Sequence, residues 1–128
     1  MTEDTTPTPQ PELTLGLMQR SVDAWMAQWK DGYWPALANL ARLTEEVGEL
    51  ARELNHRHGP KKKKASEPNR DGLDPVADEL ADILFVVVAL ANSEGVDLND
   101  AFRAMMRKLA IRDADRWERR EDGADEPG

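Results

Sequence analysis

The chain has 128 residues, a formal net charge of −8 and no cysteine, so it is long enough for one domain and can form neither a disulfide nor a thiolate metal site. The acidic balance argues against a general nucleic-acid or anionic-membrane binder. No apolar run approaches the roughly 20 residues that span a bilayer, and the polar start is no secretory signal, so we expect a cytoplasmic protein.

The first third of the chain predicts a tail and a helix. Residues 1–12 are polar and contain three prolines before Glu12, so we expect a flexible N-terminal tail. Apolar residues then recur at spacings of three and four, which predicts a helix over about 14–30 that ends at Asp31-Gly32. Its stripe consists of Leu15, Met18, Val22, Trp25 and Trp29.

An aromatic connector leads into a second predicted helix. Tyr33-Trp34-Pro35 is either a corner packed onto the helices or a surface on which a base stacks, and Pro35 suits a first helical turn. The helix is predicted over about 35–56, and Gly48 within it costs roughly 1 kcal/mol relative to alanine. That glycine either admits a close neighbour or is merely tolerated. The predicted buried stripe is Leu40, Leu43, Val47, Leu50 and Leu54.

A long polar break at 55–75 separates the two halves of the domain. It includes Lys61 to Lys64, which form either a solvated loop or mobile contacts to phosphate. A loop of this length in a small domain is usually functional or disordered.

The second half predicts two further helices. Asp74 and Pro75 start one over about 74–94, and its segment from Ile83 to Ala91 is apolar on every side. Because a short chain cannot cover such a helix alone, we expect a homo-oligomer, either a dimer or a dimer of dimers. Asp97 caps the fourth helix. Its apolar face is Phe102, Met105, Met106 and Leu109, its basic pair is Lys108 and Arg112, and residues 118–128 form an acidic, flexible tail.

These elements predict an all-α fold, a four-helix bundle over 13–117 that is completed by oligomerisation. Two acidic pairs stand out in it: Glu46 with Glu49, and Glu79 with Asp82. Residues three apart share a helix face, so the pairs converge if their helices are neighbours. Such a cluster needs a cation. Because neither pair forms the Glu-x-x-His pattern of di-iron bundles, Mg²⁺, or Mn²⁺ in its place, suits these oxygen ligands best.

The sequence E-E-V-G-E-L-A, followed after a loop by E-L-A-D-I-L-F-V, resembles the MazG-like nucleotide pyrophosphohydrolases, and in particular their short single-domain bacterial branch. This all-α superfamily also holds the dimeric dUTPases and phosphoribosyl-ATP pyrophosphohydrolase. The resemblance implies Mg²⁺-dependent cleavage of a nucleoside triphosphate between the α- and β-phosphates, as nucleotide-pool housecleaning. By position, the metal ligands would be Glu46, Glu49, Glu79 and Asp82; the catalytic acids Glu45 and Glu46; and the substrate contacts Lys108, Arg112, Asn92 and Trp34.

Two alternatives to this interpretation remain. The chain could be a non-enzymatic acidic helical dimer that binds a protein partner, because its third helix is oligomerising and its charge is strongly negative. It could also hydrolyse phosphoribosyl-ATP, which shares the chemistry and differs only in the substrate.

Overall fold

The computed structural model describes residues 9–60, 62 and 74–121. Within these ranges the chain forms four helices and no strand: α1 (Leu15–Ala27), α2 (Ala36–His58), α3 (Pro75–Ser93) and α4 (Leu98–Arg112). The predicted all-α class is confirmed. Most of the predicted tails and of the segment Lys61–Lys64 lie outside the described residues.

Three helices begin at the side-chain caps that satisfy their first free N–H groups. Thr14 Oγ1 accepts from the N–H of Leu17 at 3.1 Å, and Asp74 Oδ1 accepts from Val76 at 2.9 Å. Asp97 accepts from the N–H groups of residues 99 and 100. The predicted caps of the third and fourth helices are therefore confirmed.

Two predicted helix ends differ from the structure. α1 ends at Ala27, three residues before the predicted end, because the chain turns there and the N–H of Trp29 donates to Met26 O. α2 continues two residues beyond the predicted His56, and the N–H of Gly59 closes it by donating to Asn55 O at 2.8 Å.

Two of the other helices pack against α3. α2 packs along one side of α3, while α1 packs against α3 and also against α4. The small core lies where α1 meets α3, and it is formed by Val22, Val88 and Ala89 with half-buried neighbours such as Met18 and Phe85. α4 contributes no buried residue, so much of its apolar face is left uncovered in the single chain.

The prediction that the α2 stripe is buried is wrong for the single chain. Leu40, Val47 and Leu54 are 52%, 49% and 39% exposed, because α2 has a large contact with α3 alone. The α1 stripe is likewise incomplete, since Trp25 and Trp29 are each half exposed. The apolar positions of both helices therefore exceed what one copy covers.

A polar network joins three helices at the end of α3 that lies near α4. Asn92 Nδ2 donates to Gln19 O and to Tyr33 Oη, both at 2.9 Å. Gln19 Nε2 donates to Asn92 Oδ1, and Gln19 Oε1 accepts from the N–H of Leu98 at the start of α4. Tyr33 in turn donates to Asp23. The network fixes α1 and the start of α4 on the end of α3.

No helix within the described ranges is both long enough and apolar enough to cross a membrane.

Candidate functional site

Three carboxylates converge between α2 and α3. One oxygen from each of Glu46, Glu79 and Asp82 lies within 4.8 Å of the other two. Glu46 faces α3 from α2, while Glu79 and Asp82 lie three residues apart on α3 and so share a face. The predicted convergence of the two helices is thus observed for these three acids.

Glu79 is the electrostatic centre of this acidic cluster. Burial raises the pKa of its carboxyl to about 7, assisted by a hydrogen bond with Glu46 and by the negative charges of Glu46, Asp82 and Glu49. Its Oε2 is buried and has no hydrogen-bond partner among the described residues. A buried carboxylate oxygen without a partner is costly, and a bound cation would offset that cost.

The cluster fits a hard divalent cation. Mg²⁺ prefers oxygen ligands and is commonly held by one or two carboxylates together with substrate phosphates. The orphaned oxygen of Glu79 and its two neighbouring carboxylates present such a donor set. The residues present could therefore hold Mg²⁺ or Mn²⁺.

The other two predicted acids lie differently. Glu49 is exposed and outside the group of three, although its charge still raises the pKa of Glu79. Glu45 is also exposed. Their assignments as metal ligand and catalytic acid remain predictions.

A cavity of about 410 Å³ opens at the corner between α1 and α2. Aromatic side chains dominate its wall, with Trp25, Trp29 and Trp34 from the α1 side and the connector, and Phe85 from α3. The buried Asn39 and the side chain of Arg42 complete the wall on α2. Trp34, the predicted base contact, therefore lines this cavity. Its contact with a base remains a prediction.

Arg42 connects the cavity to the acidic cluster. Its guanidinium carbon lies 5.0 Å from the ring centroid of Trp34 and 5.9 Å from that of Phe85, and its Nε is 3.9 Å from Glu46 Oε1. Such distances allow a cation–π attraction and an ion pair. One side chain therefore spans the boundary between the aromatic and the acidic regions.

Both regions lie along a single pair of helix faces. On α2 the positions 39, 42 and 46 are three and four residues apart, and on α3 so are 82, 85 and 89. Spacings of three and four keep side chains on one face. Because α2 packs along α3, the two faces meet. Followed along α2 from its N-terminus, the cavity comes first, at Asn39, and the carboxylates come about two turns later, at Glu46.

The remaining predicted substrate residues lie away from the acidic cluster or on other helices. Asn92 is ten residues beyond Asp82 on α3, about 15 Å along the axis, and its amide takes part in the network with Gln19 and Tyr33. Lys108 and Arg112 are exposed on α4, which packs against α1, and Arg112 pairs with Asp113 at 3.0 Å. Their substrate contacts remain predictions.

The sequence reasoning missed Asn39, Arg42 and Phe85. Phe85 lies in a continuous apolar run and is indistinguishable there from a core residue. Asn39 and Arg42 could have been recognised by their spacing from Glu46, because residues three and four apart share one face of the helix.

The class of protein follows from comparison with known families. The family model of the MazG nucleotide pyrophosphohydrolase domain matches residues 35–117, which include α2, α3 and α4. The chain belongs to this family, and the resemblance seen in the sequence is confirmed.

Two relatives have similar sequences along most of their lengths. The chain is 48% identical over 110 residues to the protein YpjD of Bacillus subtilis (strain 168), covering 86% of this chain and 96% of that protein. It is 33% identical over 111 residues to the dATP/dGTP diphosphohydrolase of cyanophage S-2L, covering 87% and 85% respectively.

Solved structures agree with the fold. The crystal structure of YpjD from Bacillus subtilis matches with a TM-score of 0.67 at 45% identity, over 78% of this chain and 98% of that chain. The Bacillus-conserved MazG protein, a nucleotide pyrophosphohydrolase, matches with a TM-score of 0.66 at 37% identity, over 88% and 98%.

Proposed function

We propose that this protein is a Mg²⁺-dependent nucleoside triphosphate pyrophosphohydrolase that releases pyrophosphate and leaves a nucleoside monophosphate, as cytoplasmic housecleaning of the nucleotide pool. The main support is the convergence of Glu46, Glu79 and Asp82 around a buried oxygen that has no partner among the described residues. Membership of the MazG family supports the same chemistry. A deoxypurine triphosphate is a natural first substrate, because the 33%-identical phage relative is a dATP/dGTP diphosphohydrolase.

The acids of the cluster are assigned to the cation and the water. Glu46, Glu79 and Asp82 would hold Mg²⁺, with Glu49 as a further ligand and Mn²⁺ as a substitute. The ion would supply charge screening and water activation. Glu46 and the adjacent Glu45 orient the water that attacks the α-phosphorus, whose bond to the bridging oxygen breaks as pyrophosphate leaves.

Other side chains are assigned to the substrate. Lys108 and Arg112 neutralise the charge that develops on the leaving pyrophosphate, and Asn92 supports the substrate side of the site. Trp34 gives the base a stacking face, because it borders the cavity next to the acidic cluster. No nucleic-acid partner is needed for this chemistry.

We further propose that the working form is a homo-oligomer, a dimer or a dimer of dimers. Large apolar side chains outside the aromatic cavity are at least half exposed in the single chain, among them Trp117, Phe102 and Leu80. Large apolar patches of this kind mark interaction sites. A second copy would cover them and complete the bundle.

The function is tested by incubating the protein with the common NTPs, the common dNTPs and phosphoribosyl-ATP, with Mg²⁺, and measuring pyrophosphate. We expect release from at least one nucleoside triphosphate, abolished by EDTA and restored by Mg²⁺. Glu79→Gln and Asp82→Asn should each lower kcat by more than about a hundredfold, since each removes a charged ligand where transition-state charge is stabilised.

Glu94→Gln is the matched control, because Glu94 is an exposed acid at the other end of α3. Its activity should equal that of the unmodified chain. Pyrophosphate release that persists in Asp82→Asn would overturn the proposal. Release from phosphoribosyl-ATP alone would identify that compound, and not a nucleoside triphosphate of the pool, as the substrate. No release from any compound would favour the non-enzymatic dimer that binds a protein partner.

A further inference from the structure

Asn39 is the only buried polar residue in the described part of the chain, with 4% of its surface exposed. Its backbone N–H donates to Pro35 O at the start of α2, so the residue is held in the first turn of this helix. A buried amide normally finds partners for its donors and acceptor. Asn39 lines the aromatic cavity, so a ligand bound there could hydrogen-bond with its amide.

The other side chains around the cavity lack this combination of donor and acceptor. The side chains of Trp25, Trp34 and Phe85 offer mainly flat apolar faces. The charged side chains of Lys30, Asp31 and Arg42 offer either donors or acceptors. An amide has both an N–H₂ donor and a carbonyl acceptor, set side by side. It therefore matches a planar ring that has a donor and an acceptor next to each other on one edge.

We propose that Asn39 is the residue that determines which nucleobase the protein accepts, by hydrogen bonding to the polar edge of a base stacked on the aromatic wall. Stacking on aromatic rings tolerates every base, so the rings alone give little discrimination. Paired hydrogen bonds from an asparagine amide to a base edge do discriminate, as in the recognition of adenine by asparagine in DNA grooves.

The position of the cavity supports a base as its occupant. Asn39 and Glu46 lie seven residues apart on one face of α2, about 10 Å along the axis, with Arg42 between them in contact with both regions. A ligand that fits has a flat ring with polar groups on its edge at one end, for the cavity. At the other end it has anionic groups, for Arg42 and a cation held by the carboxylates. The inference deepens the proposed function, but the binding of a base requires neither metal nor hydrolysis.

The first experiment measures nucleoside binding to the full chain in EDTA. Adenosine, guanosine, cytidine, uridine and their deoxy forms are titrated while tryptophan fluorescence is recorded, since Trp25, Trp29 and Trp34 border the cavity. We expect one base to bind best. Asn39→Leu keeps the approximate volume and removes the amide. It should weaken the affinity for that base about tenfold to a hundredfold and leave the affinities for all bases nearly equal, because a site that hydrogen-bonds the polar groups of its ligand loses discrimination when those bonds are removed.

A second variant redirects the preference instead of removing it. Asn39→Asp replaces the N–H₂ donor by an acceptor, and guanine presents two adjacent donors, N1–H and N2–H₂. The ratio of guanosine to adenosine affinity should therefore rise at least about tenfold relative to the unmodified chain. Where hydrolysis is observed, kcat/KM for dGTP and dATP should shift in the same direction.

Asn55→Leu is the matched control, because Asn55 is exposed near the far end of the same helix, and it should leave all affinities unchanged. Circular dichroism confirms that each variant is folded. An unchanged base ranking in both Asn39 variants would overturn the proposal, and so would binding of no nucleoside. Nucleoside selectivity without pyrophosphate release would support Asn39 while refuting the proposed function, and release without base selectivity would do the reverse.

Discussion

At the scale of single residues, Glu79 connects the stability of the protein to its site. Its pKa is raised from the ordinary value of 4.5 to about 7, mainly by burial and then by Glu46. A carboxyl whose pKa is raised on folding favours the folded state while protonated. That contribution is fully present below pH 4.5 and is lost as the pH rises through 7.

We therefore expect the Tm of the metal-free protein to carry a component that falls between about pH 4.5 and pH 7. Glu79→Gln should flatten this decline, because the amide cannot ionise. The measurement is Tm in EDTA across this range, and the decisive quantity is the difference between the variant and the unmodified chain at each pH. Glu94→Gln should keep the original slope, and a Glu79→Gln profile parallel to the original would contradict the expectation.

At the scale of elements, α2 contains a glycine that the structure leaves free of close neighbours. A Cβ at Gly48 would meet nothing within 4 Å in the single chain, and the residue is exposed. The sequence left two interpretations of Gly48 open: it admits a close neighbour, or it is merely tolerated. No other part of the described chain approaches it closely.

Gly48→Ala should raise the free energy of unfolding by about 1 kcal/mol, because alanine loses less conformational freedom in a helix. The measurement is urea denaturation, with activity assayed in parallel and expected to be unchanged. A loss of activity or of assembly in this variant would show that a ligand or a second copy approaches α2 at that point.

The start of α3 offers a second test at this scale. Asp74 accepts from the N–H of Val76 and pairs with Arg57 on α2, and the bond to the backbone, followed by Arg57, holds the pKa of Asp74 below its ordinary value. A lowered pKa means stability that is present above the ordinary value of 3.8 and lost as the pH falls through the folded value.

Asp74→Ala should therefore lower the Tm at pH 7, and the deficit should shrink as the pH falls below about 4. Asp74→Asn keeps an acceptor for the cap and should retain most of the stability at pH 7. Thermal unfolding at several pH values measures both effects. Equal losses in the two variants would assign the effect to the ion pair with Arg57 instead.

Much of the fold and part of the site could be predicted from the sequence, because helix periodicity, capping and i, i+3 spacing are local properties. They were sufficient for the caps at Asp74 and Asp97 and for the meeting of Glu46 with Glu79 and Asp82. The cavity could not be predicted. It depends on the angle at which α1 turns into α2, and no spacing within one helix reports that angle.

At the scale of the whole molecule, more large apolar side chains are exposed than buried among the described residues. Half-exposed Phe102 and Met106 belong to α4, which has no buried residue. A domain of this size is only marginally stable even with a well-covered core. Association is therefore expected to contribute to folding as well as to function.

Phe102→Glu should shift the protein toward the monomer and lower its Tm, because a charge would enter the apolar interface. Arg107→Glu is the control, since it introduces the same side chain on the opposite side of α4. Light scattering coupled to size-exclusion chromatography gives the mass of each. A single chain mass for the unmodified protein at micromolar concentration would count against the proposed oligomer.

The cavity, Arg42 and the acids follow one another along α2. If the proposed sites for the base and the cation are correct, this helix fixes the distance between them. Its backbone is rigid, so the interval between the place that would receive a ring and the place that would receive anionic groups is set by the helical rise. A compound with a longer spacer between those two parts would bring the wrong bond to the carboxylates. Selection by length would then accompany selection by base, without a single additional contact.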